Sequence, residues 1–289
     1  MPGVGSRESG VDAVAPKALR EGPRGPAPLP ADLADPLATL LSRRPDLSLA
    51  VRWYSEVAST MDEVSRMAEA GTPRGVVIGA ETQSAGRGRR GRAWSSPPGA
   101  GLYFSYLARP ARGFDLLTLA AGVAVRAGIA EATGLYAELK WPNDLLAGGR
   151  KLGGLLAEAA RLGTAEASVT IGVGINIRPA AYPAEVAMRA TSLEAELGRD
   201  VNRGAVLAAV LEHLADTLAS LECGGAESIL QAWRAASPLA VGTHVEWSDP
   251  SGSRRGITAG IDDTGALLVR TSAGTDRIIA GELRWHPRR

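Results

Sequence analysis

Residues 86–94 read GRGRRGRAW, placing four arginines (Arg87, Arg89, Arg90, Arg92) and three glycines (Gly86, Gly88, Gly91) ahead of Trp94. Arginine keeps its charge and offers a planar fork of donors suited to phosphate or carboxylate. Interleaved glycine lets a backbone approach a ligand closely, and here it suggests a loop that orders around an anion. Three other polar stretches accompany it: Ser59-Thr60 with Gln83, the run KWPND at 140–144, and Lys151 followed by Gly153-Gly154. No Ser-His-Asp or Cys-His set is evident. The chemistry within reach is therefore charge neutralisation and positioning, as in attack by a carboxylate on a nucleotide phosphate. Two anions must meet in that reaction, so cations are needed between them and a metal on the leaving group.

Simpler readings compete for each stretch. Gly86 to Gly91 fits GxGxxG, but Trp94-Ser-Ser-Pro-Pro-Gly follows where a dinucleotide site needs a helix. Lys151 lacks the order of a P-loop. An isolated Arg-Gly run also suits nucleic acid, yet 32 Lys and Arg against 31 Asp and Glu leave no general basic field. Trp141 could be core packing, and Asn143-Asp144 could cap a turn. A single cysteine, Cys223, excludes an internal disulfide and is expected to pack inside a helix. Three scattered histidines lack zinc-site spacing.

The elements that must position these residues can be placed along the chain. At 289 residues, 45% hydrophobic and 22% charged, it can hold one large and one small domain. Residues 1–30 carry eleven Gly or Pro and read as a disordered tail. A helix over 31–42 is expected to be interrupted near Pro36, and a strand follows over 49–54. A helix starts at Ser59-Thr60, and a buried strand over 76–80 delivers the chain into the arginine loop. Strands over 102–107, 138–146, 150–158 and 168–177 arrive with one helix, 116–132, among them. That order predicts an α+β architecture with a mixed, mainly antiparallel sheet. Residues 178–192 read as a loop, 203–221 and 226–235 as helices, and 241–286 as short strands of an SH3-like barrel. The domains are then 1–30 (tail), 31–238 (ligand-binding) and 239–289 (barrel). The apolar run 116–125 is too short to span a bilayer, and no secretory pattern opens the chain, so a cytoplasmic protein is expected.

Taken in order, ST, TQSAGRGRRGRAW, LKWPNDLL, KLGGLLAE and IGVGINI resemble the biotin protein ligases, or biotin–[carboxylase] ligases, over roughly residues 49–288. The resemblance implies a catalytic domain like that of class II aminoacyl-tRNA synthetases, and ATP-dependent formation of biotinyl-5′-AMP. Biotin would then pass to a lysine of a biotin carboxyl carrier protein domain. By the same resemblance Lys151, Arg87 and Arg89 are catalytic. Ser59, Thr60, Gln83, Gly86, Arg87, Lys151, Gly153, Gly154, Gly172 and Gly174 bind biotin. Arg89, Arg90, Arg92, Trp94, Asn143, Asp144 and Asn176 bind ATP or the adenylate, and Asp144 is the candidate ligand for Mg2+. Bifunctional relatives carry an N-terminal helix-turn-helix, which the Pro/Gly-rich tail does not match, so no DNA binding is expected. Only Tyr182 is aromatic in 178–192, where some relatives place a tryptophan on adenine. The alternatives are a lipoate or octanoate ligase of related fold, and a biotin-sensing nucleic-acid-binding regulator.

Overall fold

A computed structural model describes residues 25–179, 184–249 and 252–286. Its elements are α1 (Ala31–Arg43), β1 (Ala50–Val57), α2 (Thr60–Glu69), β2 (Val76–Gln83), β3 (Gly101–Ala108), α3 (Leu117–Thr133), β4 (Glu138–Lys140) and β5 (Asp144–Ala147). They continue with β6 (Arg150–Ala160), β7 (Ser168–Asn176), α4 (Ala184–Ala187), α5 (Leu193–Leu197), α6 (Arg203–Glu222) and α7 (Ala226–Ala236). Last come β8 (Val241–Asp249), β9 (Gly252–Ile261), β10 (Leu267–Thr271), β11 (Gly274–Ile278) and β12 (Leu283–His286).

Seven strands form one sheet in the order β1-β2-β3-β7-β6-β5-β4. Only β1 and β2 run parallel, joined by α2 as their crossover; every other pair is antiparallel. The α+β expectation with a mainly antiparallel sheet is met. β7 lies at the centre and is buried at every position. Its Val169, Ile171, Val173 and Ile175 join the core shared with α1, α3, α6 and α7. The alternate residues, including Gly172 and Gly174, therefore face the side on which α2 packs. The helical segment Phe114–Thr133, which contains α3, and helix α6 are long and apolar enough to cross a bilayer by length and composition. Both instead contribute to that core, through Leu119, Val125, Ile129, Leu207, Val210 and Leu214.

The second sheet, β11-β10-β9-β8-β12, is antiparallel throughout and is the SH3-like barrel. It docks on the large sheet where the Trp141 indole donates to Gly265 O at 3.0 Å.

Four local expectations change. Helix α1 runs unbroken through Pro36. Proline leaves the carbonyl of Asp32 without its helical donor, and the backbone of Gly204 in α6 packs directly against that carbonyl. Of the expected tail, 25–30 are described and attached: Ala27 N donates to Trp53 O at 2.8 Å, and Leu29 packs on the core; the remainder lies outside the described residues. The strand expected over 138–146 is two strands. The chain reverses at Trp141-Pro142-Asn143, whose Trp141–Pro142 peptide is cis, and pairs Lys140 with Asp144. Cys223 is not packed inside a helix; it caps the C-terminus of α6 and is exposed, because the next residues, Gly224 and Gly225, turn the chain away.

Candidate functional site

A cavity of about 220 Å3 lies between the glycine-bearing face of β6 and β7, the arginine loop, the start of α2, the β4–β5 hairpin and residues 281–285. Each wall follows from its local sequence.

At one end, Thr60 opens α2. Its backbone N–H and its hydroxyl both donate to Gln83 Oε1, at 2.9 and 3.1 Å, and its hydroxyl also meets Ser105 Oγ at 2.8 Å. The Gln83 amide thereby does the work of an N-cap, and its Nε2 donates to Ser96 Oγ at 3.1 Å. Ser59, at the N-cap position itself, makes no capping bond; its Oγ is buried without a partner and does not border the cavity. This end is polar and uncharged.

The arginine loop is a small hairpin. Trp94 N donates to Gly86 O at 2.8 Å and Gly88 N to Arg92 O at 2.7 Å, while Arg89–Gly91 forms a tight turn with Arg90 in the left-handed region (φ 57°). The guanidinium groups then fan outward to different partners. Arg87 sits between Asp62 of α2 (3.0 Å) and Glu158 of β6 (2.9 Å). Arg89 reaches over Asn143 Oδ1 at 3.5 Å. Arg92 pairs with Glu282, just before β12, and holds its carboxyl below the usual carboxylate range. The loop is thus tied to α2, β6 and the second sheet.

Trp94 lies on the floor of the cavity. A Cβ at Gly174 would fall 2.5 Å from the indole Cζ2 and 2.7 Å from Nε1, and one at Gly154 would fall 3.1 Å from Cζ3. Only a bare backbone admits the ring there. The Lys151 ammonium stands 5.4 Å from the ring centroid, and the indole N–H is buried without a partner. Gly172 similarly gives way to the side chain of Met61.

At the centre, Lys151 Nζ donates to Asp144 Oδ1 at 2.6 Å. Lys140 is the cross-strand neighbour of Asp144, and Arg89 feels the same carboxylate. Burial pushes the Lys140 ammonium and the Arg89 guanidinium below their ordinary pKa ranges, against the pull of Asp144. Three cations thus crowd one carboxylate. The arrangement is short of negative charge, and an anionic ligand would supply it. The backbone of Lys151 is fixed on both sides, its N–H donating to Arg189 O (2.7 Å) and its carbonyl accepting from Thr191 N (2.9 Å).

Of the residues singled out in the sequence, Thr60, Gln83, Arg87, Arg89, Arg90, Arg92, Trp94, Asn143, Asp144, Lys151, Gly154, Gly172 and Gly174 border the cavity. Ser59, Gly86, Gly153 and Asn176 do not. Gly86 and Gly153 press instead against backbone carbonyls of Trp94 and Gly174. Asn176 ties β7 to the chain beyond α4, its amide donating to Thr191 O at 2.9 Å and Lys151 O at 3.4 Å. Asn143 pins the hairpin, its Nδ2 donating to Leu155 O at 2.5 Å. Tyr182 lies outside the described residues. Sequence reasoning assigned no site role to Lys140, Glu282, Leu283 or Trp285, all of which border the cavity; the lysine beside Trp141 was the one available signal. Among the described residues no cluster of three His, Cys, Asp or Glu could cage a metal.

Comparison with known proteins gives this geometry a family. Residues 54–176 match the Biotin/lipoate A/B protein ligase family, and residues 242–283 match the Biotin protein ligase C terminal domain. The chain is 34% identical over 236 residues to the Bifunctional ligase/repressor BirA of Bacillus subtilis, covering 80% of this chain and 72% of that one. It is 35% identical over 235 residues to the Biotin--[acetyl-CoA-carboxylase] ligase of Mycobacterium tuberculosis, covering 78% and 85%. Among solved structures, the biotin protein ligase from Aquifex aeolicus in complex with biotin and ATP superposes with a TM-score of 0.71 at 30% identity, covering 82% of this chain and 99% of that one. With both matched regions in their expected order and a cation-rich, glycine-floored cavity between them, the chain belongs to the biotin protein ligase family.

Proposed function

We propose that the cavity joins biotin to ATP and then hands biotin to a carrier lysine. In the first step a biotin carboxylate oxygen attacks the α-phosphorus. The bond to the bridging oxygen of the β-phosphate breaks, and pyrophosphate leaves with its electron pair. In the second, the neutral amine of the acceptor lysine attacks the acyl carbon. The acyl–oxygen bond breaks toward AMP, and the amine's surplus proton goes to solvent. The observation that carries this reading is the convergence of Arg89, Lys140 and Lys151 on the single carboxylate of Asp144. Such a centre suits the meeting of two anions, and fixed cations stabilise the charge that develops there.

Lys151 and Arg89 are the catalytic cations in this scheme. Arg87 borders the cavity and, held by Asp62 and Glu158, also docks the loop on α2 and β6. The uncharged end at Thr60 and Gln83 suits a ureido ring, which both donates and accepts. Magnesium enters with ATP as part of the substrate. Asp144, with Oδ2 outside its bond to Lys151, is the carboxylate able to share it with the phosphates, since magnesium is commonly held by one carboxylate plus phosphate and water oxygens. We assign residues 31–238 to this chemistry and 239–289 to the barrel that closes one wall. The acceptor we propose is the biotin carboxyl carrier domain of a cytoplasmic carboxylase.

The test is biotin-dependent exchange of labelled pyrophosphate into ATP by Lys151→Ala and Arg89→Ala. Each should fold normally and lose on the order of a hundredfold or more in exchange. Normal exchange in both would overturn the assignment. Calorimetric titration with biotin and with lipoate should give heat of binding for biotin alone.

A further inference from the structure

A second cavity, of about 400 Å3, opens at the other end of the large sheet. It is bordered by Gly75 just before β2, by Tyr106 and Ala108 of β3, by the α1–β1 connection and by the last turns of α6. Strand β2 runs from this end to Gln83 in the first cavity, and its eight residues set the two about 25 Å apart. No residue is shared between the two linings. Tyr106 is the buried polar group here. It is only 6% exposed, its ring joins the core, and its hydroxyl has no hydrogen bond among the described residues. Buried hydroxyls are ordinarily bonded. The charges felt by this one are Arg74 and Glu222, both on the cavity border, which turns the hydroxyl toward the cavity, and burial raises its pKa so that it stays a donor.

The border carries both signs of charge, and they are not held equally. Arg44 is taken up by Asp46 and Asp216 at 2.7 and 2.9 Å. Arg74 and Glu222 meet only at 3.4 Å, and Arg109 donates to the carbonyls of Ala68, Thr72 and Glu166 with no carboxylate beside it among the described residues. Two cations and one carboxylate are thus loosely engaged, a complement for a molecule that carries carboxylates and an ammonium. At the rim stands Cys223, exposed and the chain's single cysteine. We propose that Cys223 is a modification site, forming a mixed disulfide with a small thiol that bears carboxylate and ammonium groups and whose body lies in this cavity against Tyr106, Arg74 and Glu222. The Cys223 thiolate attacks one sulfur of the corresponding symmetrical disulfide. The S–S bond breaks, and the other half leaves as a thiolate that takes a proton from solvent. Cys223 is oxidised as the departing half is reduced, so no further oxidant is needed.

The test measures adduct formation on the full chain by intact mass, where a single cysteine makes the site unambiguous. Three probes are used: glutathione disulfide, cystine and the uncharged 2-hydroxyethyl disulfide. Each rate is divided by that of the same chain unfolded in urea, which removes the intrinsic reactivity of the reagent. The folded chain should then favour at least one of the charged disulfides over the uncharged one by about tenfold, as hydrogen bonds to charged groups allow. Whichever is favoured tells whether a peptide or an amino acid fills the cavity. Tyr106→Phe removes a hydroxyl that has no partner in the chain, so it should fold normally, react with the uncharged disulfide as before and lose about fivefold of the preference. Arg74→Ala should lose a similar share. Equal normalised rates for all three probes, or a preference that survives both substitutions intact, would overturn the proposal. It stands apart from the ligase reading, since none of these measurements involves biotin or ATP.

Discussion

Adding one methyl group at Gly174 tests how the cavity floor is built. Gly174 is paired to Tyr103 in β3 and to Gly154 in β6, so its backbone is held on both sides and cannot retreat. A new Cβ would stand 2.5 Å from the Trp94 Cζ2. Unstrained carbon contacts need about 3.5–4.0 Å. The indole must therefore withdraw by roughly 1 Å or more, and it loses its place beneath Lys151. Overpacking of this kind costs about 1–3 kcal/mol. Trp94 stands outside the hydrophobic core clusters, so the cost should appear in ligand affinity more than in folding stability. That amount corresponds to about 5- to 150-fold in affinity. The assay is calorimetric titration of a non-hydrolysable biotinyl-adenylate analogue into the unaltered chain, Gly174→Ala, Trp94→Ala and the double variant. Trp94→Ala alone should weaken binding, and Gly174→Ala should then cost much less in its background, because the clash is gone. An equal penalty with and without Trp94 would show that the glycine is kept bare for the ligand itself, and would refute the indole argument.

Four more outcomes are expected. Arg203 bridges Asp32 of α1 and Glu81 of β2 at 2.5 and 2.7 Å beside Trp53; Arg203→Ala should lower the urea unfolding free energy by about 1–3 kcal/mol, since it strips charged partners. Glu282→Ala should speed hydrogen exchange in residues 86–94 by releasing Arg92. Because Arg92 depresses the Glu282 pKa, this tie is complete above the ordinary glutamate range and is lost as pH falls through the lowered value, so loop protection in the unaltered chain should decline in acid, below the ordinary glutamate range. The exposed Cys223 thiol should react stoichiometrically with a thiol reagent in the folded protein, without urea.

The large sheet was legible because alternation and turn residues mark its strands locally: Gly148 and Gly149, both at positive φ, turn β5 into β6 between the strands expected over 138–146 and 150–158. The arginine loop and Lys151 were legible as chemistry because charge without a nucleophile permits few reactions. What could not be read were relations between distant segments. That Glu282 holds Arg92, and Trp285 faces Lys140, depends on how the second sheet docks, and no local pattern encodes that. The same blindness explains Asn176 and Gly153, whose partners are backbone atoms of neighbouring strands. The turn at Trp141-Pro142-Asn143 was hidden because Trp141 and the flanking leucines look like one apolar strand, although a hydrogen bond to Gly265 draws the indole to the second sheet.

Glu282 and Trp285 also impose a timetable on the molecule. The cavity takes walls from Thr60 onward, yet its far wall comes from 281–285. A chain still being synthesised can assemble the arginine loop, the glycine floor and Lys151 long before that wall leaves the ribosome. Until then that side of the cavity stands open to solvent and Arg92 lacks its Glu282 partner. The cavity is therefore complete only once residues 281–285 have joined the earlier walls.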